Sequence, residues 1–168
     1  GPVSRIPVII SKEYLEEVNA LVSECIGIAK DDWNSYEMSM NFKKHPFMMY
    51  LDSTKCIKEA FELWKKDKNE KQERMLQNER RLDEIFMDIY GINDMEIMED
   101  ITLYAVDSNK DVKSFVSYAV GCIFGRYSLD DDGVVHAGGE FNKDKYLKFA
   151  PDKDAIIPIT DADYFGDD

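Results

Sequence analysis

Residues 111–130, DVKSFVSYAVGCIFGRYSLD, decide how the rest of the chain is read. Val112, Phe115, Val116, Ala119, Val120, Ile123, Phe124 and Tyr127 fall at three- and four-residue intervals, which on an α-helix form one wide apolar stripe. A stripe of that width is expected to be buried, so the segment is predicted to be a central core helix. Ser117, Gly121 and Gly125 repeat every fourth residue beside it. An interior glycine costs a helix about 1 kcal/mol relative to alanine, and two of them predict that another backbone approaches closely. The apolar run is shorter than the roughly 20 residues a bilayer requires. Lys113 and Arg126 close its ends, and no membrane span is expected.

Upstream, Ser11 is a suitable N-cap for a first helix over residues 11–30, with Tyr14, Leu15, Val18, Leu21, Val22, Cys25, Ile26 and Ala29 at helical spacing. Residues 31–52, DDWNSYEMSMNFKKHPFMMYLD, crowd aromatic and methionine side chains without a clean period. Pro46 biases His45 away from helical geometry, which predicts an irregular connection. From about Ser53 a second helix follows one heptad frame through Ile57, Phe61, Trp64, Met75, Leu82, Ile85 and Ile89. Lys68 and Lys71 occupy that frame inside the charged run KKDKNEKQER. The pattern predicts an arm, one long helix or two meeting near Asn69, whose ends pack while its middle lies in solvent. Lys65, Lys66, Lys68, Arg80 and Arg81 are its candidate contacts to a DNA backbone.

Gly91 is placed to end the arm, and residues 92–100 form an acidic loop with Met95, Ile97 and Met98 available to pack. Residues 101–106 alternate weakly, as a short strand or an extended lead-in, and Ser108 or Asn109 is the expected cap of the core helix. Beyond Leu129 the aspartates, prolines and paired glycines predict turns, a short strand at Val134-Val135 and extended or hairpin structure. The expected fold is therefore mainly α: a helical bundle over residues 11–128 with a long charged arm, then an acidic extended or β-hairpin segment over 129–168. Residues 1–10 read as a tag scar and leader, Gly1-Pro2 being typical of tag cleavage.

Composition narrows the function. The 168 residues carry a net charge of −13, which argues against a self-sufficient nucleic-acid clamp. An acidic DNA mimic would need those charges in a rigid array, whereas many of the aspartates fall in turns. Cys25, Cys56 and Cys122 are odd in number, widely spaced and set in apolar patterns, as reduced packing cysteines of a cytoplasmic protein are. Ser128, Asp130, Asp132 and Gly133 match part of a calcium loop, but the twelfth position is Gly139 and Glu140 comes one residue late. His45 and His136 have no partner at zinc spacing, and no phosphate loop or nucleophile elbow is present. No catalytic, cofactor-binding or metal residue is assigned.

Four runs carry a family resemblance: WNSYEMSMNFKKHP (33–46), RRLDEIFMDIYGI (80–92), VKSFVSYAVGCIFGRYSLDDDG (112–133) and AGGEFNKDKYLKFAPDKDAIIPITDADYF (137–165). In this order they resemble the region that follows the catalytic domain in PglX-type adenine-specific DNA methyltransferases. Those enzymes belong to BREX and phage-growth-limitation defence systems and are related to single-chain restriction–modification methylases. The resemblance implies a parent enzyme that uses S-adenosylmethionine to methylate adenine N6 in a flipped base. Neither its cofactor loop nor its Asn-Pro-Pro-aromatic motif is present here. It further implies that this chain is a fragment serving as a non-catalytic helical connector that positions DNA, with the rest of the enzyme as its partner. A different reading makes it a protein-interaction module that docks defence-system components through the aromatic–methionine stretch 33–50.

Overall fold

A computed structural model describes residues 7–93 and 103–153. Four α-helices and one 3₁₀ turn make up its regular structure, and no strand occurs among the described residues: α1 Leu15–Asn34, α2 Met48–Thr54, α3 Ile57–Tyr90, α4 Ser108–Ile123 and the turn Lys143–Lys145. The fold is mainly α and its helices pack as a bundle, as the periodicities predict.

The arm is one unbroken helix. Its buried residues, Ala60, Trp64, Lys68, Met75, Asn78 and Ile85, follow three- and four-residue spacing, so the seam runs straight through the charged stretch. This corrects the expectation of a solvated middle. The reason lies in α1, which runs antiparallel along α3: Tyr14 donates to Asp88 at one end and Lys68 meets Asp32 at the other. Between them, Arg81 pairs with Glu17 at 2.7 Å and Arg74 with Glu24 at 2.8 Å. Partners seven residues apart on both helices are the register of an antiparallel coiled coil. Gly91 adopts φ 64° and ends α3 as expected, with the Ile92 amide returning to the Met87 carbonyl and the Gly91 amide to that of Asp88. Residues 94–102, with Met95, Ile97 and Met98 of the predicted acidic loop, and residues 154–168 lie outside the described residues.

α1 begins at Leu15, after a turn that includes Tyr14, and extends to Asn34, four residues beyond the predicted end. Those added residues carry Asp32 to Lys68. Of the connection predicted to be irregular over 31–52, only residues 35–47 are so, between the end of α1 and the short α2; Pro46 sits just ahead of the first turn of α2, a place where a missing N–H costs nothing. Lys55, at φ 53°, makes the corner into α3.

Two apolar clusters meet beneath α4. Phe42, Tyr118, Cys122 and Tyr127 form one; Phe47, Ala60 and Trp64, with Phe61 and Phe115 against them, form the other. His45 joins them, its ring centroid 4.4 Å from Phe47, 5.2 Å from Phe115 and 6.1 Å from Tyr118.

α4 departs from its predicted stripe in three ways. Asp107, not Ser108 or Asn109, is its cap, accepting from the amides of Asn109 and Lys110. The buried line is Asp111, Tyr118, Gly121 and Cys122, while Val112, Val116 and Phe124 are 43%, 54% and 48% exposed. The helix also stops at Ile123: Gly125 has φ 75°, and the Arg126 and Gly125 amides close on the carbonyls of Gly121 and Cys122. Gly125 is therefore a helix terminator, with Pro151 against it. Gly121 is inside the helix, but what approaches it is a ring and not a backbone: a Cβ there would lie 2.5 Å from Tyr127.

Past α4 the chain is irregular, with no hairpin among the described residues. It is fastened back by side chains. Asp130 accepts from the amides of Leu147 and Lys148, Ser128 donates to the Lys145 carbonyl, and Tyr146 donates to that of Gly125. Asp131 pairs with Lys145, and Asp132 with Lys43 and Lys44. The carboxylates weighed as calcium ligands thus hold loops together.

Candidate nucleic-acid interface

The five basic residues singled out on α3 separate into distinct environments because a helix distributes neighbours around its axis by about 100° per residue. Lys65 and Lys66 are exposed, Lys66 lying 3.8 Å from Glu70 one turn on. Arg80 is also exposed. Arg81 is tied to Glu17 through two nitrogens and to Glu84 at 3.2 Å. The hydrogen bond from Arg81 pulls the Glu17 carboxyl below its ordinary range, and Arg74 with Asn78 does the same to Glu24.

Lys68 is unlike the others. Its side chain is 8% exposed, with its ammonium 3.0 Å from Asp32 and donating 2.6 Å to the Tyr36 hydroxyl. The Tyr36 and Trp64 rings lie 5.1 and 5.3 Å from the same nitrogen. Burial works against its charge, but the bonds to Tyr36 and Asp32 and the Asp32 charge outweigh it, and the amine is held above its ordinary pKa. A lysine so enclosed cannot reach a phosphate in this fold. It serves as a joint between α1 and α3, and its field also bears on buried Asp111 of α4.

A cleft of about 470 Å³ opens beside this joint, lined among others by Trp64, Tyr50, Lys43, Lys44, Lys68 and Lys71. The volume falls in the range of ligand pockets. Each of its lysines already faces a carboxylate: Lys71 pairs with Asp67 at 3.1 Å, and Lys43 and Lys44 with Asp132 at 3.5 and 3.6 Å. Sequence reasoning did not gather these side chains. The adjacent pair Lys43-Lys44, alone among aromatics and methionines, was the available signal. Among the described residues, no group of three or more His, Cys, Asp or Glu side chains is placed to hold a metal ion. No helix in them is long and apolar enough to cross a membrane.

The aromatic–methionine stretch divides in two. Phe42, His45 and Phe47 are buried, whereas Trp33, Met38, Met40 and Met49 stand in solvent at 47–101% exposure. Lys65, Lys66 and Arg80 of the five basic residues, and Trp33, Met38, Met40 and Met49 of the stretch, are therefore exposed, whereas Lys68, Phe42, His45 and Phe47 are buried.

No protein-family model matches the chain. Two curated proteins do. Adenine-specific methyltransferase PglX of Lacticaseibacillus casei (strain Zhang) is 35% identical over 175 aligned residues, a match that takes in 100% of this chain and 14% of the relative. Adenine-specific methyltransferase BrxX of Escherichia coli O9:H4 (strain HS) is 29% identical over 196 residues, again across 100% of this chain and 16% of the relative. The chain thus spans a small fraction of the relatives it matches. From end to end, the 168 residues are similar to one segment of PglX- and BrxX-type adenine-specific methyltransferases.

Proposed function

We propose that this chain is a non-catalytic connector within an adenine-specific DNA methyltransferase, setting the distance and angle at which DNA meets a catalytic pocket elsewhere in the same polypeptide. The observation that carries the proposal is α3, a single helix of 34 residues braced by α1. At 1.5 Å per residue it is about 50 Å long, and the paired ladder along α1 resists bending. Positioning of reacting groups depends on such stiffness, since small misplacements are costly to rate. S-adenosylmethionine and the base-holding motif are assigned to the remainder of the enzyme. The setting is a cytoplasmic phage-defence system of the BREX kind or a restriction–modification system, as the resemblance of the four sequence runs implies.

On this reading Lys65, Lys66 and Arg80 are the cations of α3 that lie near DNA, while Lys68 and Arg81 hold the connector's shape. Replacing those three by glutamine in the full-length enzyme should weaken DNA binding uniformly across sequences and lower the salt slope by about 1 for each phosphate that is no longer neutralised. An unchanged slope would reject direct contact by this segment. The exposure of Trp33, Met38, Met40 and Met49 favours a second reading, docking of defence-system proteins, because methionine surfaces adapt to many shapes. Loss of a protein partner on replacing these methionines, with DNA binding intact, would favour it over the first.

A further inference from the structure

Two lysine-bearing stretches far apart in sequence close on one loop. Lys43-Lys44 comes from the connection after α1, 142–148 (NKDKYLK) from the segment after α4, and both meet 129–133 (LDDDG). The Gly133 amide donates to the Lys43 carbonyl, and Asp130 accepts from the amides of Leu147 and Lys148. The three aspartates of the loop are therefore not equivalent. Asp130 is turned onto backbone amides and Asp131 onto Lys145 at 3.5 Å. Asp132 is left to two lysines, with Lys43 at 3.5 Å from Oδ2 and Lys44 at 3.6 Å from Oδ1. Lys44 and Lys148 both donate to the Leu129 carbonyl, at 3.1 and 3.5 Å, so their ammonium groups stand at most two hydrogen-bond lengths apart. Three ammonium groups thus share one carboxylate, on a chain whose net charge is −13.

That carboxylate holds its place weakly. Lys43 and Asp132 are 75% and 54% exposed, both contacts are longer than a hydrogen bond, and exposed ion pairs of this kind contribute little. Asp132 offers one oxygen to each lysine, as the two non-bridging oxygens of a phosphodiester do. Lys43 and Lys44 also line the cleft beside Trp64, but Asp31, Asp32 and Asp67 line it too and keep an anion out of its interior. The favourable place is the lip, at Asp132. We propose that Lys43, Lys44 and Lys148 form a contact for a DNA backbone phosphate, a place that Asp132 holds until the phosphate displaces it. Lys65, Lys66 and Arg80 serve a different side. At about 100° per residue they lie about 110–170° round α3 from the cleft-lining side of Trp64, Asp67, Lys68 and Lys71.

This inference rests on the connector reading and deepens it; the test is the salt dependence of binding by the full-length enzyme to two duplexes of unrelated sequence. Lys43 and Lys148 are both exposed and are replaced together by glutamine, while Lys44, at 29% exposure, stays to anchor the loop. The pair of substitutions should weaken binding to both duplexes alike, by about threefold or more at about 0.05 M salt, and lower the salt slope by about 1, the loss of one neutralised phosphate. Asp132→Asn should act in the opposite direction and tighten binding by about twofold or more at the same salt. Weaker or unchanged binding by Asp132→Asn would make that carboxylate a tie between loops and overturn the proposal. So would lysine variants that change neither slope nor affinity, or a loss confined to one duplex. A separate enzyme carrying Lys65→Gln, Lys66→Gln and Arg80→Gln keeps the two ideas apart. A slope that answers to these three alone leaves the connector with DNA on the outer side of α3 and removes the contact at Asp132. One that answers to Lys43 and Lys148 alone retains that contact and moves the DNA to the lip of the cleft, and no response to either set removes direct contact by this segment altogether.

Discussion

A histidine enclosed by Phe47, Phe115 and Tyr118 has no water to solvate an imidazolium, and burial lowers the His45 pKa to about 4. Its Nδ1 accepts from the Phe47 amide, a bond that the neutral ring can make. The folded pKa lies below the ordinary value of 6.5, so the unfolded chain binds the proton first. The stabilising contribution is complete above pH 6.5 and is lost as pH falls toward 4, in total about 3 kcal/mol. Urea unfolding at intervals between pH 7 and 5 should show this loss, and His45→Asn, which keeps an acceptor, should flatten it. A wild-type profile already flat over that range would mean the ring is hydrated. Gly121 teaches the same lesson about neighbours. Its spacing announced a close approach, but Tyr127, stacked on Tyr118 with centroids 5.1 Å apart, lies beyond the helix, where periodicity has no view of it.

At the scale of elements, α3 turns on a polar residue in its seam. Lys68 and Asn78 occupy positions where an apolar residue is expected, and each is answered by α1, through Asp32 and Glu24. Removing one member of a buried pair strands the other: Lys68→Met should destabilise the chain by about 3–5 kcal/mol. Lys68→Met combined with Asp32→Leu should recover most of that loss, since a packed apolar pair is often as stable as the ion pair. Denaturant midpoints across the four-member cycle decide it, and a double variant no better than the single would assign the role to Tyr36 instead. The helical arm and its Gly91 end were legible in the sequence because periodicity and cap chemistry are local, whereas its start at Ile57 and its continuity through Asn69 were not. The seam through KKDKNEKQER was not, because whether a lysine is buried depends on what stands opposite. The carboxylate that answers Lys68 is 36 residues away, on a helix that ends four residues later than its own pattern predicted. The same gap explains the candidate site: of five basic residues named as candidate contacts, Lys65, Lys66 and Arg80 are exposed, Lys68 is buried, and Arg81 is tied across to α1 through Glu17.

For the whole molecule, charge acts in two opposite directions. Pairs such as Arg81–Glu17 and Arg74–Glu24 hold α1 to α3, while the net −13 drives the folded chain apart. Salt weakens both, but not equally. The ladder acts at contact distance, whereas the repulsion is summed over all separations and is dominated by the long ones. Raising ionic strength from 0.01 to 0.15 M shortens the screening length from about 30 Å to about 8 Å, which removes long-range repulsion while contacts near 3 Å persist. Lys68–Asp32, enclosed from solvent, is screened least. The melting temperature at neutral pH should therefore rise with sodium chloride over this range. A fall would mean that the exposed ladder contributes more than the repulsion it opposes, and that α1 is held to α3 chiefly by charge. Neutralising Glu62, an exposed acid outside the ladder, should mimic added salt by raising the melting temperature at 0.01 M and reducing its further rise. Reversal of that pattern would locate the sensitivity in the ladder itself.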